Sequence, residues 1–367
     1  MKKIILLFIS LLFTSCSHDM NRREIDEINI IHIVGIDYEE EAYEISVLYS
    51  AAGGADPEEG AGSADEELLS GRGRTPYEAL EDVKLKSKKN IILAHAGNFL
   101  IGEAAALSDI RLCLDFLSRD ETIKMESLFY VTKGISAKDF IEESIDEMQN
   151  VQEDLEAIKQ KQHELLTRYD NTLVNILNEI KQKKSSLLIP YLISEDKTYL
   201  INGYAVFDDY VLIDYLDKDT SYGVDFIKNT LRNFPIFLEE EVSLALSYSK
   251  TDLKSEIIND QIKVIIKVDF ETMVREIITD EYIFYRDKIE ELTERQNKYV
   301  KERLEKAVNY SVENGVDILQ IARLVEKEHV NHWVDIEDDW DEIISDIEYE
   351  FNLQSKIGKS FILGKGR

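Results

Sequence analysis

From residue 28 onward, short β-branched runs alternate with longer stretches of helical period. Residues 28–38 (INIIHIVGIDY) and 44–50 (EISVLYS) are joined by Glu39, Glu40 and Glu41, and the pattern predicts a hairpin. Residues 51–67, rich in Gly, Ala and acids, read as an acidic loop. Thr75-Pro76-Tyr77-Glu78 is a capping box with proline at the first helical position, opening a helix that carries Ala79, Leu80, Val83 and Leu85. Strands are expected at 91–94, 98–101 and 126–131, and helices over 109–117 and from 137 onward. Over about 145–184 Leu155, Ile158, Leu165, Tyr169, Leu173, Ile176 and Ile180 recur mostly at three- or four-residue steps among charges. That spacing predicts a long charged amphipathic helix or helical hairpin, packed on its own domain rather than in a coiled coil.

Ser185, Ser186 and Pro190 mark a boundary. Beyond it, strands are expected at 199–207 and 210–216 and a helix over 220–231, ending before Pro235. Residues 241–275 read as three strands, with Ile262, Val264, Ile266 and Val268 alternating in the last. A charged helix over 285–314 should stop at Asn314-Gly315, another should begin near Asp317, and 347–353 should return as a strand. The expected fold is mixed α/β in three domains, each a sheet flanked by helices: 28–188, a small middle unit 189–240, and 241–367.

The amino terminus is of a different kind. Lys2 and Lys3 precede an apolar run from Ile4 to Phe13, the length of a secretory signal and too short for the roughly 20 residues that span a bilayer. Residues 1–15 therefore read as a signal peptide and 16–27 as a linker. Thr14-Ser15-Cys16 resembles a bacterial lipobox, whose cysteine is diacylated, although Phe13 stands where leucine is usual. The alternative is a plain secretory signal with an incidental Cys16. Two acyl chains anchor a protein stably where one does so marginally, at about 0.8 kcal/mol per buried CH2.

Charge sharpens the need for such an anchor. The 367 residues hold 43 Lys+Arg against 73 Asp+Glu, a formal charge of -30, so phosphate backbones and anionic lipids are repelled and nucleic-acid binding is excluded. The 44% hydrophobic content still suffices for real cores. With Cys16 and Cys113 as its cysteines, the chain carries no disulfide framework, and Cys113, between Leu112 and Leu114, reads as an inert buried thiol.

No nucleophile elbow, HExxH, CxxC, phosphate loop or GxGxxG is present. His329 and His332 have the spacing of two ligands on one helix face but lack a third, and His32 and His95 read as satisfied core imidazoles. The acids of 335–342 lack the glycine of a calcium loop and suit a helix amino terminus better. Neither catalytic residues nor a metal or other cofactor is expected.

Taken in order, several segments resemble the Ger(x)C spore germination lipoproteins. The first are the lipobox cysteine, Arg22-Arg23-Glu24-Ile25, Val34-Gly35-Ile36-Asp37, Gly73-Arg74-Thr75 and Glu78-Ala79-Leu80. Ala94-His95, Leu100-Ile101-Gly102-Glu103, residues 115–120 and Gly203-Tyr204-Ala205-Val206-Phe207 continue the likeness, and Asp317-Ile318, Trp333, Asp339-Trp340 and Ile357-Gly358 complete it. The chain departs from the family where Ser17-His18-Asp19-Met20 replaces the usual tryptophan after the cysteine, and in its longer charged helix.

The resemblance implies a non-enzymatic C subunit of a nutrient germinant receptor, lipid-anchored through diacylglycerol and an acyl chain (palmitate) on Cys16. Its place would be the outer face of the spore inner membrane, beside polytopic A and B subunits. Candidate partner contacts are Arg22 and Arg23, rare positive charge beside the membrane, with a solvated linker as the alternative, and the Trp333 and Trp340 region, where core packing is the favoured alternative. The rivals are a substrate-binding lipoprotein of a transporter and an envelope hydrolase.

Overall fold

The computed structural model describes residues 28–50, 66–146, 155, 157, 171–182, 184–195, 198–239, 242–259, 261–278 and 283–358. Two sheets organise them. The first runs in the order β3-β2-β1-β5-β6-β7-β8-β9, with β4 alongside the start of β1. Its members are β1 (Ile28–Glu39), β2 (Ala42–Ser50), β3 (Glu66–Gly73), β4 (Asn90–Ile92), β5 (Asn98–Gly102), β6 (Leu128–Thr132), β7 (Leu187–Glu195), β8 (Thr198–Asp208) and β9 (Val211–Tyr215). The centre, β1-β5-β6-β7, is parallel, and antiparallel ribbons close both edges.

Parallel strands need crossovers, which the helices supply. Helix α1 (Pro76–Lys86) starts as the capping residues dictate: Thr75 is extended and its Oγ1 accepts from the Glu78 amide at 3.1 Å. The Glu78 carboxylate accepts from the Arg74 amide at 2.9 Å, one residue earlier than a capping box places it. With α2 (Glu103–Ser108), α3 (Arg111–Arg119) and α5 (Leu173–Glu179), α1 covers one face of the sheet, over Val34, Ile36, Phe99, Phe129 and Ile189. On the other face α4 (Ala137–Asp146) lays Phe140 and Ile141 against Ile33, Leu100 and Tyr130.

The second sheet has the order β10-β11-β12-β13. Here β10 (Pro235–Leu238), β11 (Val242–Ile258), β12 (Gln261–Ile277) and β13 (Glu348–Gly358) are covered on one face by α6 (Lys218–Lys228), α7 (Arg286–Asn314), α8 (Ile321–Glu328), α9 (Val330–Ile336) and α10 (Trp340–Ile343). Residues 241–275, expected as three strands, are thus most of one hairpin with 17 residues in each arm. Ile262, Val264, Ile266 and Val268 all enter the core. Helix α7 stops at Gly315, which takes the left-handed φ of 65° anticipated for it. Helix α6 crosses α7 so closely that a Cβ on Gly223 would stand 2.0 Å from the Arg303 carbonyl oxygen.

Among the described residues, the middle unit expected over 189–240 has no sheet of its own. Strands β7, β8 and β9 continue the first sheet, and Pro190, read as a boundary, lies within β7 opposite Tyr204, beside a register shift. One face of this ribbon (Ile189, Ala205, Phe207) enters the first core, while Leu188, Tyr204 and Val206 enter the core of the second sheet. The two units therefore share a hairpin rather than a linker.

Other expectations shift as well. The helix predicted over about 145–184 is interrupted at Thr172, whose extended backbone precedes α5; most of 147–170 lies outside the described residues, though Leu155 is buried. The helix predicted near Asp317 begins at Ile321. His95 sits exposed on a 3-10 turn, and His32 is half-buried with Nε2 2.7 Å from Ser50 Oγ. Cys113 is fully buried, and that burial pushes its thiol up to about 12.

Candidate functional site

Perturbed carboxylates in clefts are where chemistry is sought first. Two stand out, Asp37 and Asp317, each raised to about 6 chiefly by burial. Both work on backbone. Asp37 Oδ1 and Oδ2 accept from the amides of Ala137 (2.7 Å) and Lys138 (2.9 Å), fixing the start of α4. The glycines around it serve this contact: a Cβ on Gly102 would lie 1.9 Å from Asp37 Oδ1, and one on Gly35 3.1 Å from Ala137 Cβ. Lys138 Nζ then reaches Glu44 at 3.0 Å, with Arg72 3.1 Å from the other Glu44 oxygen. Burial alone would raise Glu44, but Lys138 and Arg72 hold it below the usual range.

Asp317 repeats the arrangement in the second unit. Its two oxygens accept from the amides of Ile321 (2.9 Å) and Ala322 (2.7 Å), starting α8, and Ser185 Oγ lies 3.4 Å away. Its carbonyl accepts from the Ser186 amide at 3.0 Å, a backbone bond between the units. Both carboxylates spend their oxygens on backbone amides, although Asp317 also lines a crevice between the units. Among the described residues no group of three His, Cys, Asp or Glu is placed to hold a metal, and His329 Nε2 lies 3.1 Å from the Ser255 carbonyl oxygen.

Open space lies where the two units meet. A cleft of about 560 Å3 is floored by Leu188, Pro190, Tyr204, Ile227, Leu253 and Leu319 and rimmed by Lys228, Arg323 and Lys327. Across it Glu179 Oε1 receives Gln320 Nε2 at 3.2 Å and Lys228 Nζ at 3.5 Å. A second crevice of about 640 Å3 is bridged by Lys184, whose Nζ is 2.9 Å from Asp341 Oδ2; this pairing raises the lysine above its ordinary value.

Of the residues singled out from the sequence, Cys16, Arg22 and Arg23 lie outside the described residues. Trp333 and Trp340, for which core packing is the favoured alternative to partner contact, are core: they are 5% and 1% exposed and meet edge to face at 5.1 Å. Their apolar area outweighs their aromatic docking chemistry, as it does for most large buried rings. The cationic rim was missed. Its signal was Arg323 and Lys327 at i,i+4 in an acidic chain, a pattern too common on solvated helices to single out.

A family model for the spore germination protein N-terminal domain matches residues 21–194, and one described as spore germination B3/GerAC like, C-terminal, matches 202–360. The crystal structure of the GerBC protein is similar in fold, with a TM-score of 0.58 and 15% identity over 88% of this chain and 96% of that one. A search of curated proteins returns no match. With both matches in order along nearly the whole chain, this protein belongs to the Ger(x)C family of spore germination proteins.

Proposed function

We propose that this chain is the C subunit of a nutrient germinant receptor, held by lipid on Cys16 at the outer face of the spore inner membrane. There it works by contact with the membrane-embedded A and B subunits. The observation that carries the reading is the pair of spore germination models matched end to end over 21–194 and 202–360.

Physical chemistry supports the finer steps. Among the described residues no helix is long and apolar enough to cross a membrane, and a body of charge -30 gains nothing from anionic lipid. Acyl chains on Cys16 would supply the attachment, and lateral confinement would raise the effective concentration of partners, so a weak interface suffices. Arg22 and Arg23 would sit at the membrane-proximal end of that interface. The body contributes no chemistry in this reading, since Asp37 and Asp317, the carboxylates raised to about 6, spend their oxygens on helix amino termini. The shared β7-β8 core also argues against a transporter's binding protein, whose lobes close about a hinge.

The test is Cys16→Ala in spores. The variant should leave the membrane fraction and slow nutrient-triggered germination, whereas wild-type protein solubilised in detergent should bring down polytopic partners. Normal germination at equal protein level, with the variant off the membrane, would sink the proposal.

A further inference from the structure

We infer that the junction cleft is a binding site for a small organic anion, an apolar body carrying a carboxylate or phosphate head. The inference is independent of the receptor reading.

Three observations carry it. The first is charge. In a chain whose acids outnumber its cations by 30, this cleft is lined by Lys228, Arg323 and Lys327 against Glu179 alone among the acids. Glu179 is already engaged by Gln320 and Lys228. Arg323 and Lys327, one turn apart on α8, line the cleft and make no ion pair among the described residues. Fixed positive charge over a low-dielectric wall concentrates anions, and a guanidinium offers the planar fork that carboxylates and phosphates fit.

The second observation is the floor. Leu188 and Tyr204 come from the shared hairpin, Ile227 from α6, Leu253 from β11, and Leu319 and Leu324 from the α8 region. An apolar floor beneath a cationic rim suits a ligand with an apolar body, not a bare inorganic ion. The third is size and rigidity. About 560 Å3 falls within the ~300–1,000 Å3 of small-molecule sites. Most of the walls are helices and strands anchored in the second core, and α5, which carries Glu179, is anchored in the first, which keeps the cost of ordering low.

The experiment titrates the full chain as isolated, in neutral detergent, with phenyl phosphate, inorganic phosphate and dihexanoyl phosphatidylglycerol below its micellar concentration. Phenyl phosphate should bind saturably at one per chain, at least tenfold tighter than inorganic phosphate, and weaken as salt rises. Tighter binding of the short lipid than of phenyl phosphate would assign the anion to a headgroup, and the reverse to a free ester; either supports the site. Arg323→Glu with Lys327→Glu should weaken phenyl phosphate at least tenfold, while Lys356→Glu, an exposed cation on β13, should not. Should the double reversal not fold, Arg323→Gln and Lys327→Gln singly should each weaken binding several-fold. No saturable binding, equal affinity for both phosphates, or undiminished binding in the rim variants would overturn the assignment.

Discussion

The two sheets are built on different terms. In the first, helices or the second unit cover both faces, so β5 and β6 are buried at every position. In the second, one face is helical core and the other is water, so β12 alternates buried and open residues along most of its length. A parallel centre needs crossover helices and ends up covered on both sides, whereas a long antiparallel hairpin can face solvent. The difference bears on the junction. Strands β7 and β8 have one face in each core because the second unit occupies the half of the sheet that α4 leaves open.

The largest effect should follow from breaking that hairpin. The two family models part between residues 194 and 202, where the chain passes from β7 to β8. A chain cut there separates β7 from β8 and exposes Leu188 on one piece and Tyr204 and Val206 on the other. Each half expressed alone should lose its cooperative urea transition, and the intact chain should show one transition by every probe. Two independent transitions, or a folded half, would mean that the hairpin does not join the units.

How much of this was legible in the sequence follows from the same contrast. The alternation of Ile262 to Val268 located β12 because water on one face writes a period of two. The capping residues at Thr75 and Gly315 were legible because local geometry decides them. The domain boundary was not, because Pro190 carries a local turn signal overridden by long-range pairing with β8. Gly35, Asp37 and Gly102 were visible as a family pattern, yet their joint purpose spans 100 residues and emerges once α4 is in place. Trp333 and Trp340 left docking and core packing open because composition does not distinguish a docking ring from a core ring, and their burial decides for the core.

The buried carboxylates sharpen the comparison at intermediate size, one in each unit. Both are raised from 3.8 to about 6, so between those values the folded chain holds protons that the unfolded chain has released. Stability from each is full below about 3.8 and is lost as pH climbs through about 6, amounting to roughly 3 kcal/mol per group at ~1.4 kcal/mol per pKa unit. Asp317→Asn should be less stable than wild type at pH 4, because the amide cannot accept from both Ile321 and Ala322. That gap should narrow towards pH 7 as the wild type meets its own charging cost. Asp37→Asn should do the same through the same single transition if the units are joined. Urea melts from pH 4 to 7 decide it, and a gap that stays constant or widens would refute the burial argument.

The smallest effect belongs to the open face of the second sheet. There Lys250 with Asp252, Lys254 with Glu256, Lys263 with Glu350 and Lys267 with Asp269 pair at 2.6 to 3.5 Å with their side chains 29–65% exposed. Solvent screens such pairs and side-chain entropy opposes them, so their geometry is no measure of their worth. Ile266 and Lys267 are neighbours on β12 that point to opposite faces, which makes them a matched test. Ile266→Ala should cost about 2–5 kcal/mol through lost burial and the cavity left behind. Lys267→Ala should move the melting temperature of the isolated chain by about 2 °C or less. If the lysine change instead costs as much as the isoleucine change, this face is covered rather than bathed in water, and the contrast between the two sheets fails at its simplest point.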